Sequence, residues 1–150
     1  MTTFNPVTFL ANVKRIFSAA TGLTTVATWS YPTLLSTEIT YPAIFIELIG
    51  GEVEWYSTSK PNKLLHFYVR FVIFEDQTTS SASLGSYFSA ILDAVNSNPQ
   101  LLDSNSAATC EYLGAYEGRV ISFDVASTEI SGSMAKNAAR IDVPCKVRDT

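Results

Sequence analysis

The feature that most constrains the fold is a long alternation of apolar and polar positions in the middle of the chain. Within residues 64–74, every odd position is apolar: Leu65, Phe67, Val69, Phe71 and Ile73. Successive side chains of a strand point to opposite faces of a sheet, so these residues are predicted to face one core. The even positions begin with His66, Tyr68 and Arg70 and then become apolar, which predicts a second, half-polar face.

The segment before this strand predicts the other half of a hairpin. Residues 43–49 are nearly all apolar apart from Glu47, which is typical of a strand buried on both faces. Gly50 and Gly51 predict a bend or bulge before a short strand at residues 52–56. Residues 57–62 are predicted to form the turn of the hairpin.

Three short strands are predicted near the C-terminus. They cover residues 107–113, 120–128 and 138–147, and the last two alternate strictly between apolar and polar positions. This pattern is typical of antiparallel strands with one wet face. Pro144 has no N–H to donate to a ladder, so the last strand is predicted to lie at an edge of the sheet.

Two amphipathic helices are predicted. The first covers residues 6–20, with Asn5 as N-cap and Phe4 and Phe9 at the spacing of a hydrophobic staple. The second covers residues 80–96, where apolar residues recur at helical spacing.

The order of these elements predicts one α+β domain over residues 1–150. We expect a mostly antiparallel sheet with the two amphipathic helices packed on one face, plus an extended hairpin. Residues 21–42 are predicted to be a long loop with one short strand near residues 25–29. A loop of this length in a compact domain is more often functional than idle.

Catalytic and metal-binding patterns are not evident in the sequence. The lone histidine, His66, lies in a predicted strand and has no Gly-x-Ser-x-Gly motif beside it. Cys110 and Cys145 are too far apart in sequence for a Cys-x-x-Cys motif, and we expect both to be reduced and buried. Glu52 and Glu54 share a face but are interpreted as a solvated or partner-facing stripe. We therefore expect no enzyme, no cofactor and no metal site.

The composition favours a protein that associates with other proteins. Only 16% of residues are charged, whereas 17 serines and 16 threonines supply most of the polar surface. The net charge of −4 argues against a free-standing nucleic-acid binder. We expect no secretory signal, since the first residues carry no positive charge and no apolar stretch, and no membrane helix, since no apolar stretch is long enough.

Charged residues are unevenly distributed along the chain. Residues 75–129 carry eight acids and one base, whereas residues 136–148 carry four bases and one acid. One interpretation is a chance imbalance on a solvated surface. The other is an electrostatic polarity that lets copies dock head-to-tail, acidic side to basic side, which closes into a ring where the rotation permits.

Aromatic and basic residues are the candidates for a subunit or partner interface, because interface cores are enriched in aromatics and Arg. They are Trp29, Trp55, Tyr56, Tyr68, Arg70, Lys136, Arg140, Lys146 and Arg148.

The arrangement of the whole chain resembles the tail terminator (tail completion) proteins of long-tailed bacteriophages. The resemblance rests on an opening amphipathic helix and a long loop that ends in Tyr-Pro-Ala-Ile-Phe-Ile at residues 41–46. It continues with a Trp-bearing hairpin into residues 63–74, the helix at 84–95 and three closing strands. The family has no catalytic residues.

The resemblance implies a virion structural protein that forms a hexameric ring. Such a ring caps the tail tube, stops its polymerisation and joins it to the head connector, while DNA passes through the lumen. It implies a location in the neck of the virion tail after assembly in the host cytoplasm, with no membrane partner. An acidic lumen would repel phosphates and let DNA slide. The candidates for it are Glu75, Asp76, Asp103, Glu111, Glu117, Asp124 and Glu129.

Two alternatives remain open at this point. The nearer one is another virion part of the same size, such as a head-completion (head-tail neck) or tail tube protein. Tube subunits would polymerise indefinitely, whereas a terminator stops at one ring. More remotely, a small α+β enzyme or ligand-binding domain would need a pocket between helix and sheet and a hydrogen-bonded His66 in a cleft.

Overall fold

The computed structural model describes residues 4–31, 39–57, 62–76, 81–130 and 134–149. These residues form helices α1 (Pro6–Ser18) and α2 (Ser81–Ser97). Their strands are β1 (Thr28–Ser30), β2 (Ala43–Ser57), β3 (Asn62–Asp76), β4 (Tyr112–Leu113), β5 (Ser122–Ile130) and β6 (Met134–Asp149).

The strands form one sheet in the order β1-β2-β3-β6-β4, with β5 also paired to β6. β1 is parallel to β2, and every other pairing is antiparallel. β4 and β5 lie one after the other along the same side of β6, opposite Cys145–Lys146 and Met134–Asp142 respectively. The fold is therefore α+β with a mostly antiparallel sheet, as predicted.

α1 begins where the sequence places its cap. The Asn5 side chain accepts hydrogen bonds from the backbone N–H groups of Val7 at 3.0 Å and Thr8 at 3.3 Å. The rings of Phe4 and Phe9 meet edge-on at 5.4 Å, which confirms the staple. The helix ends at Ser18, before the predicted residue 20.

The core lies against the odd-numbered residues of β3, which define the core face of the sheet. Phe67, Val69, Phe71 and Ile73 are buried there, as the alternation predicts. Their cluster includes buried residues of both helices, among them Phe17, whose ring lies 4.7 Å from that of Phe71. The even-numbered residues of β3 define the second face.

Pro144 corrects the prediction of an edge strand. β6 is an interior strand, with β3 on one side and β4 and β5 on the other. The Pro144 carbonyl accepts the Gly114 N–H at 2.9 Å, so it points towards β4. The ring nitrogen faces that same side, between the last residue paired with β5, Asp142, and the first paired with β4, Cys145. The missing donor thus falls at the junction of two partner strands, where it costs no ladder bond.

Residues 107–113 form less strand than predicted. β4 covers only Tyr112–Leu113, and the preceding segment is a loop held by side chains. Asp103 accepts the N–H groups of Asn105 and Ala107, and Asn12 donates to the Leu101 carbonyl at 2.8 Å. Hydrogen bonds from side chains to the backbone replace the partner strand that a β-strand would need here.

β2 and β3 are both longer than the strands predicted there. β2 runs through Gly50 and Gly51, where a register shift between Ile49 and Glu52 marks the predicted bulge. Residues 58–61 of the predicted turn and residues 32–38 of the predicted loop lie outside the described residues. The short strand of that loop is β1, at Thr28–Ser30.

Candidate assembly surface

β5 forms an open edge of the sheet. Among the described residues it pairs with β6 only, so its outer N–H and C=O groups have no strand partner there. Phe123 and Val125 lie opposite the buried core residues Ile141 and Ala139, and therefore on the core face. They are nevertheless 40% and 48% exposed.

The packing explains why these apolar side chains are exposed. The Phe88 ring of α2 stacks on Phe123 at 4.1 Å, so the core continues to β5 from one side. Val125 lies one pleat further along and stays half exposed, and Val120 just before the strand is 65% exposed. Alternation in residues 120–128 predicted one buried face here. The exposure of Phe123 and Val125 differs from this prediction, because a pattern alone does not show how far the layer that covers the sheet extends.

The opposite edge of the sheet has two parts. β1 pairs with the start of β2, and Trp29 lies opposite the buried Ile44 with its ring packed against the core. Further along, Glu52, Val53 and Glu54 of β2 are exposed and face no further strand among the described residues. One part of this edge is thus uncharged and the other is acidic.

An ion-pair ladder crosses three strands on the second face. Arg70 of β3 donates from Nε and Nη2 to the two carboxylate oxygens of Asp142 on β6, at 2.8 Å and 3.2 Å. Its Nη1 lies 3.7 Å from Glu47 on β2. The hydrogen bond to Asp142 raises the pKa of Arg70 above its usual value. Arg70 was predicted as an interface anchor, but its guanidinium group is already paired with Asp142 and Glu47 of the same chain.

Three bases of the basic segment also form ion pairs with acids of the same chain. Arg140 lies 3.6 Å from Asp124, and Lys146 lies 3.8 Å from Glu117. Arg148 donates to Glu111 at 2.6 Å. Because β6 brings the basic segment alongside the acidic one, these bases neutralise acids of their own chain. The head-to-tail attraction between acidic and basic sides stays a prediction.

His66 is buried in a hydrogen-bonded network on the second face. It is 5% exposed, with Nε2 3.1 Å from Glu54 and Nδ1 2.7 Å from the Tyr116 hydroxyl. That hydroxyl also donates to the Cys145 carbonyl at 3.2 Å. Burial raises the pKa of Tyr116 to about 12. The network fastens the turn around Tyr116 to the sheet.

The other interface candidates differ in how far the structure describes them. Trp29 and Tyr68 are half-buried. Trp55 and Tyr56 lie in β2 and Lys136 in β6, with side chains outside the described residues.

The acidic candidates for a lumen separate into groups. Glu75 is 5% exposed, so it presents almost no carboxylate to solvent. Burial, and the nearby Glu75 carboxylate, raise the pKa of Tyr87. Asp103 caps its own loop. Glu111, Glu117 and Asp124 are partly or largely exposed and ion-paired. Asp76 and Glu129 lie in β3 and β5, with side chains outside the described residues.

A half-open cavity of about 690 Å³ lies between the start of α1, the loop before β4 and the end of β6. Phe4, Phe9, Asp103, Cys110 and Arg148 are among its lining residues, and His66 is not. The cavity and the histidine thus do not make a common site. Cys110 and Cys145 are both free and buried, as predicted, and burial raises the pKa of the Cys145 thiol.

Within the described ranges, no three His, Cys, Asp or Glu side chains are grouped so that they could hold a metal ion. None of the helices described is both long enough and apolar enough to cross a membrane. No protein-family model matches the chain, and no curated protein matches it.

Proposed function

We propose that this chain is a virion structural protein of the tail-terminator type. Its copies form a ring, hexameric in the family it resembles, that caps the tail tube and stops its polymerisation. The ring also joins the tube to the head connector, and DNA passes through its lumen. The chain turns over no substrate.

The open edge at β5 is the observation that carries this proposal. A long strand with free backbone groups and exposed apolar side chains is a template for pairing with another chain. Stable monomers protect such edges with Lys, Pro or a covering segment. β5 contains no Lys or Pro, although it carries Asp124 and Glu129, and its outer side is uncovered among the described residues. An edge of this kind suits a protein whose working state is an assembly.

The packing of the helices supports the division of surfaces that such a subunit needs. Residues of α1 and α2 share one cluster with the core face of the sheet. In the proposed subunit both helices lie on that face and β2 and β3 form an extended hairpin. The second face and the two sheet edges are then left for neighbours and DNA.

We further propose that the second face lines the lumen. Its exposed acids include Glu52 at 77% and Glu54 at 59% side-chain exposure, which the sequence had suggested as a partner-facing stripe. Asp124 and Glu117 are 67% and 65% exposed. The bases paired with them are less exposed, so carboxylates dominate what DNA would meet.

Light scattering after gel filtration and electron microscopy test the proposal. The purified protein should form closed rings with a central hole, and adding it to growing tubes of its own phage should end growth after one ring. A monomer at high concentration, with tube protein present, would overturn the proposal. Growth into long filaments would identify a tube protein instead.

A further inference from the structure

We infer that β5 of one copy pairs antiparallel with β1 of the next copy, in the register that places Val125 opposite Trp29. The inference rests on the proposed function, because it names the partner strand at the open edge of β5. It makes the ring contact a continuation of the sheet.

Strand direction is the first argument. β2, β3, β6 and β5 are each antiparallel to the next, so β5 runs opposite to β2. β1 is parallel to β2, so β5 also runs opposite to β1. Two copies placed side by side, with their core faces on the same side, therefore bring β5 against β1 as an antiparallel pair. This contact is heterologous, as a ring requires.

The level of the two strands along the sheet is the second argument. The pairings Trp29–Ile44, Ile44–Ile73, Ile73–Ala139 and Ala139–Val125 form one row across the sheet. Val125 and Trp29 are the two ends of this row. Neighbouring copies can therefore pair these ends without sliding along the strands.

Side-chain character is the third argument. In this register Val125 meets Trp29, and Phe123 meets Tyr31, on the core face. On the second face, Asp124 meets Ser30, whose hydroxyl donates to the Tyr31 carbonyl at 3.2 Å in the single chain and would rotate to donate to the carboxylate. Apolar residues thus meet apolar or aromatic ones, and the exposed carboxylate meets a donor.

Charge and symmetry exclude the other available edges. The exposed part of β2 carries Glu52 and Glu54, so pairing it with β5 would bring carboxylates beside Asp124. Like charges in such positions are destabilising. Pairing β5 with β5 of another copy is a two-fold contact, which closes as a dimer and does not continue around a ring. β1 contains no charged residue.

Cysteine cross-linking tests the strand pair and its register. Directly opposite residues in antiparallel strands have Cα atoms about 4.5–5.5 Å apart, which suits a disulfide. Ser30→Cys combined with Asp124→Cys should give, under mild oxidation, a ladder of covalent species up to the full ring on a non-reducing gel. Each single variant should give none. The sample is denatured in an excess of maleimide, so that the buried Cys110 and Cys145 are blocked as they become exposed.

The comparison variants separate failure of the inference from failure of the proposed function. A ladder from Glu54→Cys with Asp124→Cys, or dimers from Asp124→Cys alone, would identify another edge and overturn the inference. Rings that form without any cross-link between residues 30 and 124 would also overturn it while leaving the proposed function intact. If the unmodified chain forms no rings, both proposals fail.

A second variant pair tests the edge without cross-linking. Val125→Lys places a charge on the apolar side of the β5 edge and should raise the concentration needed for ring assembly at least tenfold. As a control, Val7→Lys makes the same substitution at a 77% exposed valine on α1 and should leave assembly unchanged. Equal effects of the two substitutions, or no effect of Val125→Lys in a folded protein, would overturn the inference.

Discussion

Odd-numbered residues of β3 pack against an apolar core, whereas the even-numbered residues between them face ion pairs and a buried histidine. Phe71 is completely buried, whereas Arg70 beside it keeps contact with solvent and with two carboxylates. Apolar packing scales with buried area and tolerates small shifts, but a forked arginine needs its acceptors at fixed positions. The core face therefore supplies most of the stability, and the second face fixes the register of β2, β3 and β6.

The largest effect is expected on the core face. Phe71→Ala should reduce the free energy of unfolding by about 3–5 kcal/mol, because it leaves a cavity in a closed cluster. Val72→Ala, on the half-buried second face of the same strand, should cost only about 1 kcal/mol. Urea denaturation measures both, with Phe71→Leu as a milder variant if the alanine variant does not fold. Equal losses at positions 71 and 72 would mean that the two faces contribute equally to the free energy of unfolding.

The ion-pair ladder should give the next largest effect. Asp142→Ala removes the carboxylate that holds both donors of Arg70 and should cost about 2–3 kcal/mol. Glu47→Ala removes the more distant partner and should cost less than about 1 kcal/mol. Replacing the pair with Arg70→Met and Asp142→Leu together should recover much of the loss. If the double variant is no better than Asp142→Ala, the penalty does not come from an uncompensated arginine.

A smaller effect is expected at the histidine network. Tyr116→Phe removes the hydroxyl that His66 Nδ1 contacts, and a buried polar atom left without its partner costs about 1–2 kcal/mol. Chemical denaturation at neutral pH measures the loss. A substitution without effect would show that another group takes the place of the Tyr116 hydroxyl at His66.

The same tyrosine predicts a pH dependence at the alkaline end. The pKa of Tyr116 is raised from 10.0 to about 12 in the folded protein. Between these values the unfolded chain releases the phenol proton while the folded chain keeps it, so stability should fall as the pH rises through this window. Tyrosinate absorbance should show a late titration step that is missing in Tyr116→Phe. A wild-type curve identical to that of the variant would contradict the assignment.

The smallest effect is expected at the exposed pair of Arg140 and Asp124. Both side chains are about half exposed or more, at a separation of 3.6 Å. Arg140→Gln should therefore change the free energy of unfolding by no more than about 0.5 kcal/mol in denaturant titrations. A loss comparable to that of Asp142→Ala would show that exposure does not separate the two ion pairs.

Local periodicity predicted the parts of the fold that depend on local sequence. The alternation at Phe67, Val69 and Phe71 identified the core face, and Asn5 identified the start of α1. These signals are short-range, because side-chain direction and helix capping are set by neighbours in sequence. The predicted sheet was therefore correct in class and largely in its strands.

The features that the sequence did not predict depend on pairing between residues far apart in the chain. The contacts of Arg140 with Asp124 and of Arg148 with Glu111 depend on the register between distant strands, so charge counts along the chain could not show that these bases lie beside acids of the same chain. The burial of Glu75 could not be predicted for the same reason, since it depends on the packing of α2 against the sheet. The open edge at Phe123 could not be predicted either, because alternation does not show where the covering layer stops.

The junction at Pro144 has a consequence for how the molecule opens. β4 and β5 pair with the same side of β6, one after Pro144 and the other before it. Because these two pairings are separate, we expect that one can open without the other. The short β4 end and the longer β5 end can loosen as separate units, and amide exchange could resolve them as two independent protection classes.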